Sequence, residues 1–463
     1  PASAIKMVAL AMFDAASIDE QPALALALAD IISDEEPWLD EVTGAHKRRL
    51  DRAEWAELVL EIQRKDPARA DLLRRVARVA AGMAQQITSM EVIDDLTIEF
   101  TLADPWPGLP YYFAHGGALV ANPRVIEEQG DDAFGTNPLG AGAGPYEFVR
   151  YVDSEEVVLE AKDDYWGGPV CIEQLRFVTG GDSRAVYDSF RNGDIDAYLI
   201  TDLRVIADAK ADDAPGLGTV YSGNGFHLNS GRGTDPLLAD VRLRQAIAAA
   251  LNVDVIDDRV YNGLGLPTSS GTHPEQLIYS GVDGPAFDPD EATRLVEEVK
   301  GETGWDGQLT LTCTTAPDSV ELSITAEGLL EAVGFDVTRE NLEPSDHSQK
   351  VLIDGDYQMA CGNAVTFDEQ PIRGLGQFET GSPQNRTGFS DPEVDAVLAD
   401  LLAATNIDET RAAMADLQVL WNEKIPSAWV NAAEWFVGYT DRLHGAKFSI
   451  ASVLMFDDAW LEQ

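Results

Sequence analysis

The sequence predicts an α/β protein with more than one lobe, on three observations. Between Leu309 and Cys361, short apolar segments alternate with amphipathic ones. Strands are expected at Leu309–Thr314, Asp336–Asn341 and Tyr357–Cys361, with helices at Ser319–Ala332 and Ser345–Ile353, the spacing of a mostly parallel sheet. The stretch from Asn137 to Gly168 reads as a glycine cluster feeding two strands and an aromatic turn. Tyr146, Phe148 and Tyr151 mark its first strand, Val157, Leu159 and Ala161 alternate along its second, and Asp153 and Ser154 supply the bend. Finally, 463 residues at 45% apolar content suffice for about two to three domains with ample core.

From the start of the chain, an apolar run at Ile5–Phe13 leads through Asp14–Glu20 to a second at Ala23–Ile32, then to acidic residues from Asp34 to Glu41. A helical pattern follows from His46 to Ala84, with Leu50, Leu58, Val59 and Ile62 on one face and Leu72, Leu73, Val76 and Val79 beyond the break at Pro67. Its polar face carries Arg48, Arg49, Arg52, Arg64, Arg74 and Arg75, a basic island in an acidic chain. A solvated face paired with Glu57, Glu61 and Asp71 is the plain reading, and docking to an acidic surface is the alternative. Met90–Pro105 reads as a hairpin turning at Asp94 and Asp95, after which Trp106, Tyr111, Tyr112 and Phe113 bring aromatics to a loop.

After the glycine-fed hairpin, Leu175–Val178, the helix Asp182–Asn192 closed by Gly193, and Ile195–Ile200 are expected to form a βαβ unit burying Val186, Phe190, Ala197 and Leu199. Asp194 and Asp196 read as turn and strand-edge residues. Asp240 is placed to cap a helix from Val241 whose Val241, Ala246, Ile247 and Ala250 face a core, with Arg242 and Arg244 as salt-bridged surface arginines. Gly263 and Gly265 end the helix after it. Phe287–Val299 is a helix with Asp288 or Asp290 near its start, Asp391 and Pro392 open another, and Arg411–Ile425 is the last before strands return from Ala428.

Three stretches together resemble the family 5 extracellular solute-binding proteins of ABC importers: the hairpin NPLGAGAGPYEF with its DYWGG turn, the helix followed by NGDID, and the strand-to-helix segment FHLNSGRGTDPLLADVRLRQA. NRTGFSDPEVD adds a fourth. The phenylalanine-histidine-aspartate-glycine motif usual near the start of this family is missing, so the first lobe is expected to be rebuilt or incomplete. The resemblance implies a two-lobed periplasmic-binding-protein-like fold (type II, cluster C) with mixed sheets and a hinge. Residues 1–25, 135–225 and 431–463 would form the core of lobe 1, 26–134 a small extra domain, and 226–430 lobe 2. Crossings near Tyr221–Phe226 and Val430–Ala433 would join the lobes, which close over a solute.

In peptide-binding members, the loop after the strand equivalent to Tyr357–Cys361 runs glycine, tryptophan, two small residues, then an aspartate that pairs with the peptide ammonium. Laid on Gly362, this pattern puts Asn363 in place of the tryptophan and Thr366 in place of the aspartate, with Asp368 two positions on. The expected ligand-binding set is therefore Gly362, Asn363, Ala364, Thr366, Phe367, Asp368, Tyr111, Tyr112, Asn229 and Asn385. The implied partners are a peptide or other small solute and the importer's permease and ATPase, met as a monomer at an extracellular, cell-surface or periplasmic site, with membrane association through the permease or an N-terminal anchor outside the sequence. A secreted hydrolase or sensor on the same fold is the alternative.

Composition narrows the field further. The formal net charge is −47, from 80 acidic and 33 basic residues, and only nine of the basic ones are lysine. Such a surface repels itself over the ~10 Å Debye length of 0.1 M salt, so adaptation to high salt is expected and nucleic acid is an unsuitable partner. No run approaches the ~20 apolar residues of a membrane helix, and Pro1 opens without the basic and apolar regions of an export signal. The six histidines are scattered, without HExxH or GxSxG, so neither an enzyme nor a cofactor or metal is expected. Cys171, Cys313 and Cys361 exclude a disulfide framework. One Cys313–Cys361 bridge is conceivable, but two buried free thiols are the expectation.

Overall fold

A computed structural model describes residues 87–462, with breaks at 95–96, 111–121, 123–124, 126–127, 129–139, 141, 153–154, 222–223, 234–236, 364–371, 383 and 449–453. The expectations for 1–86, the aromatics Tyr111, Tyr112 and Phe113, and Ala364, Thr366, Phe367 and Asp368 lie outside the described residues. The chain divides into two compact units, Pro1–Pro110 with Ile372–Thr405, and Tyr111–Pro371 with Asn406–Gln463.

In the first unit, β1 (Ile87–Asp94) and β2 (Thr97–Leu102) pair antiparallel around the expected turn. The later segment carries a helix at Pro392–Ala403, opened by Asp391, whose carboxylate accepts from the Glu393 and Val394 amides.

The second unit holds three sheets that matter here. β3 (Tyr146–Val152), β4 (Glu156–Ala161) and β5 (Gln174–Val178) form an antiparallel sheet. Helix α1 (Ser183–Asn192) then runs from an Asp182 cap to Gly193, which stands at φ 79° and so closes the helix as an L side chain rarely would. β6 (Ala197–Ile200) follows, yet the expected βαβ unit does not form. β5 stays with β4, whereas β6 pairs antiparallel with β14 (Asn431–Tyr439). Burial on β6 also runs opposite to expectation. Tyr198 and Ile200 are buried against Tyr187 and Phe436, while Leu199 is 46% exposed, because four residues of alternation leave either face available and the aromatic face wins the helix side.

β7 (Gly216–Tyr221), reached through α2 (Leu203–Ala211), completes the sheet β6-β14-β7. The next strand, β8 (Asn224–Leu228), belongs to a different five-stranded sheet of order β11-β10-β12-β8-β13. In it, β10 (Gln308–Thr314) runs parallel to β11 (Asp336–Leu342) and β12 (Met359–Asn363), as alternation with helices dictates. β8 and β13 (Ser427–Trp429) join antiparallel and make the sheet mixed. Its core is Leu243, Ala246 and Ile247 of α3 (Val241–Ala250), Ile256 of α4 (Val253–Val260), Val296 of α5 (Pro289–Thr303), and Leu322, Ala326 and Leu330 of α6 (Pro317–Glu331), packed on Leu228, Leu309, Leu311 and Met359.

Two expectations are corrected in this sheet. The parallel register of β10 and β12, with Leu311 opposite Met359 and Thr312 opposite Ala360, brings Cys313 opposite Cys361. The two form a disulfide with Cα atoms 4.8 Å apart, not two free thiols, and only Cys171 is a free thiol. Arg242 is ion-paired as expected, to Asp240, Glu298 and Glu302. Arg244 is not at the surface. It is buried and has no carboxylate partner in its hydrogen-bond set, donating instead to the carbonyls of Leu238, Ala239, Lys424 and Ile425 at 2.7–3.1 Å. The bonds to Lys424 and Ile425 close the C-terminal end of α7 (Ile407–Lys424), where the last helix carbonyls lack an internal partner, those to Leu238 and Ala239 hold the turn before α3, and burial pulls the guanidinium pKa down to about 10.

Candidate functional site

The sheets β6-β14-β7 and β11-β10-β12-β8-β13 are joined by two neighbouring crossings. Tyr221 of β7 passes to Asn224 of β8, and Trp429 of β13 passes to Asn431 of β14. The crossings touch: the Val430 amide donates to the Asn224 carbonyl at 3.1 Å. β13 lies so close to β8 that a Cβ on Gly225 would stand 2.4 Å from the Ala428 carbonyl oxygen. Two extended strands crossing side by side are the geometry of a hinge, because rotation there needs only a few backbone torsions.

β12 ends at these crossings. Its last residues, Gly362 and Asn363, are paired with Gly225 and Asn224, so the segment that follows Asn363 leaves from the hinge at the C-terminal edge of the parallel strands. That edge is where open α/β sheets take ligands. Gly362 is half-buried, and a Cβ there would lie 2.3 Å from Nε2 of His227, so packing alone demands glycine. Just behind, Cys361 is tied to β10 by the disulfide, and the buried His347 lies alongside. Burial lowers the His347 pKa, opposed by backbone hydrogen bonds at Thr312 and Cys361.

The other two described candidates sit elsewhere. Asn229 follows β8 at the far end of the β8–β12 pair, since Leu228 lies opposite Met359. Its amide is taken up locally: Nδ2 donates to the carbonyls of Gly355 and Tyr357 at 3.1 and 2.6 Å, and Oδ1 accepts from the Arg232 amide at 2.8 Å. It borders a polar cavity of about 170 Å³ with Arg232, Lys350 and Gln358, away from the hinge. Asn385 belongs to the first unit and organises its own turn, donating to Phe389 and accepting from the Thr387 and Gly388 amides. Thus only Gly362 and Asn363 of the described candidates meet at the hinge.

Side chains that the sequence analysis did not select surround the crossings. Nδ2 of Asn224 donates to the Tyr261 hydroxyl at 2.7 Å, and the Leu266 amide donates to Oδ1 of Asn431 at 2.8 Å. Asp257 accepts from the Gly265 amide at 2.7 Å. Burial raises its pKa, countered by that hydrogen bond and reinforced by Asp258 and Asp254. The visible signal was a polar residue at the start of each crossing strand, Asn224 and Asn431. Among the described residues, no group of three or more His, Cys, Asp or Glu side chains is placed to hold a metal, and no helix is long and apolar enough to cross a membrane.

A mixed α/β sheet and an antiparallel sheet joined by paired crossings, with the parallel strands of the first ending at the joint, are the architecture of the two-lobed solute-binding class of fold. The family model for bacterial extracellular solute-binding proteins, family 5 (middle region), matches residues 52–386, and the chain belongs to that family, whose members are the substrate-binding proteins of ABC importers. The match includes part of the basic helical stretch in which no family motif was found. Among relatives, a Brucella ovis protein named for peptide binding by an ABC transporter is 25% identical over 385 residues, covering 78% of this chain and 71% of its own. The glutathione-binding protein GsiB of Pectobacterium atrosepticum is 26% identical over 380 residues, covering 79% and 70%. The periplasmic binding protein DppA of Helicobacter pylori, solved with the peptide STSA, shares the fold at a TM-score of 0.65 and 19% identity, over 88% of this chain and 81% of that one.

Proposed function

We propose that this receptor captures short peptides at the hinge edge of β12 and presents them, lobes closed, to an ABC permease and its ATPase. The observation that carries this is the position of Gly362 and Asn363. The strand that precedes the candidate ligand loop is paired into the crossing itself, so a solute held by that loop would bias closure directly. The names of the curated relatives support peptides as the solute class. In this reading the peptide main chain is held as an added strand and Asp368 supplies the carboxylate for its ammonium, in place of the aspartate position occupied by Thr366. In this reading the lobes are those outlined from the sequence, 226–430 closing on 1–25, 135–225 and 431–463 with the small extra domain 26–134. The protein works as a monomer outside the cytoplasmic membrane, and its charge of −47 suits it to concentrated salt.

The test is calorimetric titration and thermal melting in 2 M KCl with di- to pentapeptides, sugars, polyamines and nickel chelates. A peptide at a hundredfold excess over Kd raises stability by about 2.7 kcal/mol. Asp368→Asn should abolish that shift for peptides with a free amino terminus and spare their N-acetylated forms. Shifts confined to non-peptide solutes would reject the assignment.

A further inference from the structure

The side chains around the crossings form a connected set. Tyr261 directly follows α4, and its hydroxyl is held by Nδ2 of Asn224, the first residue of β8, at 2.7 Å. The side chain of Asn431, the first residue of β14, lies against the same hydroxyl. Asn431 in turn accepts from the Leu266 amide at 2.8 Å, and the strand pair β9 (Leu266–Pro267) and β14 continues that contact through Asn431 opposite Pro267. Asn224 lies opposite Asn363 and accepts, through its carbonyl, from the Val430 amide. One buried phenol therefore touches the first residue beyond each crossing and ties both to the corner between α4, which packs on the five-stranded sheet, and β9, which pairs with β14.

We infer that Tyr261 is a positioning residue that sets solute affinity without touching solute, by holding Asn224 and Asn431, and through Asn224 the end of β12, in one arrangement. The inference rests on the hinge reading of the proposed function. Without the hydroxyl, the two asparagines keep their backbone pairing but lose the group that ties them together. The crossings then sample more conformations, and closing over a solute must restrict more of them. A hydrogen bond's net contribution corresponds to roughly two- to tenfold in an equilibrium. Because the residue acts on the hinge, that factor is common to all solutes.

The experiment uses Tyr261→Phe in the full chain, with Asn224→Ala as a second variant. Amide exchange read by mass spectrometry, without solute, should speed up about two- to tenfold in peptides covering Val430 and Leu266 in both variants, while the α5 and α6 core is unchanged. Peptides that bind the wild type should bind each variant about two- to tenfold more weakly, with their rank order and affinity ratios preserved. The double variant should be no weaker than the worse single one, since both remove one contact. Unchanged exchange at the crossings overturns the inference. So does a loss of affinity that differs between solutes, which would mean that the side chain meets the solute. If the wild type binds nothing in the panel, the peptide assignment fails on its own while the exchange measurement still decides whether Tyr261 holds the crossings.

Discussion

Reducing the Cys313–Cys361 bridge should lower the stability of the five-stranded sheet by about 4 kcal/mol. The residues it joins are 48 apart in sequence, and a cross-link removes roughly 2.1 + 1.5R ln n cal/mol/K of entropy from the unfolded chain, which for a loop of that size is about 4 kcal/mol at 25 °C. At about 2–4 °C per kcal/mol for a cooperative unit of 150–250 residues, the melting temperature should fall by roughly 8–16 °C. Two measurements check this. Thiol titration of protein denatured without reductant should find one reactive cysteine, Cys171, and three after reduction. Calorimetry at fixed salt, with and without reductant, then reads the shift. Three thiols in protein that was never reduced would refute the pairing. An unchanged melting temperature once three thiols are confirmed would refute the loop-entropy reasoning. The Cys313→Ala/Cys361→Ala variant should match the reduced protein to within the small change in side-chain volume.

Replacing Arg244 by Met strips hydrogen bonds from the carbonyls of Leu238, Ala239, Lys424 and Ile425 inside the fold and should cost roughly 3–5 kcal/mol in urea denaturation, with Arg244→Lys recovering part; an unchanged midpoint would mean that water replaces the guanidinium. Gly362→Ala drives a methyl into the His227 ring and should cost about 1–3 kcal/mol, relieved in the Gly362→Ala/His227→Ala pair; equal losses in the single and double variants would place the strain elsewhere. His347, its folded pKa lowered by burial, binds fewer protons folded than unfolded. Its contribution is complete above the unfolded value near 6.5 and is lost as pH falls from there through the folded value, so His347→Gln should flatten the decline in melting temperature between about pH 7 and 5. Asp257 works in the opposite sense: with its folded pKa raised by burial, its charged form disfavours folding at neutral pH and the cost lifts as pH falls through the folded value. Asp257→Asn should therefore melt no lower than wild type at pH 7, and a lower melting point would show the carboxylate to be favourable there.

Whatever depends on neighbours a few residues away was legible in the sequence. Asp240 and Asp391 cap the helices expected of them, and Asp182 and Asp288, read only as lying at helix starts, prove to be caps as well, because a side-chain oxygen needs only an amide two or three residues on. The strands and helices from Gln308 to Asn363 follow from local periodicity, and their alternation implied the parallel core of the sheet. The spaced motifs likewise carried the family, since a solute receptor of this class is recognised by stretches each a few tens of residues long. Tertiary structure alone decided the rest. β6 chose β14, more than two hundred residues away, over β5, and so put Leu199 outside; Cys313 met Cys361 only once β10 and β12 were neighbours. Asn229 and Gly362 looked like members of one site, yet the antiparallel run of β8 against β12 sends them to opposite ends. Arg244 carries the same charge as Arg242 two positions earlier, and only the arrival of the α7 terminus from 180 residues further on turns it from a surface cation into a buried one. Asn224, Tyr261 and Asn431 share no motif or spacing. What joins them is the crossing of two strands, and a hydrogen bond of 2.7 Å between side chains 37 residues apart exists only after the fold has closed the distance.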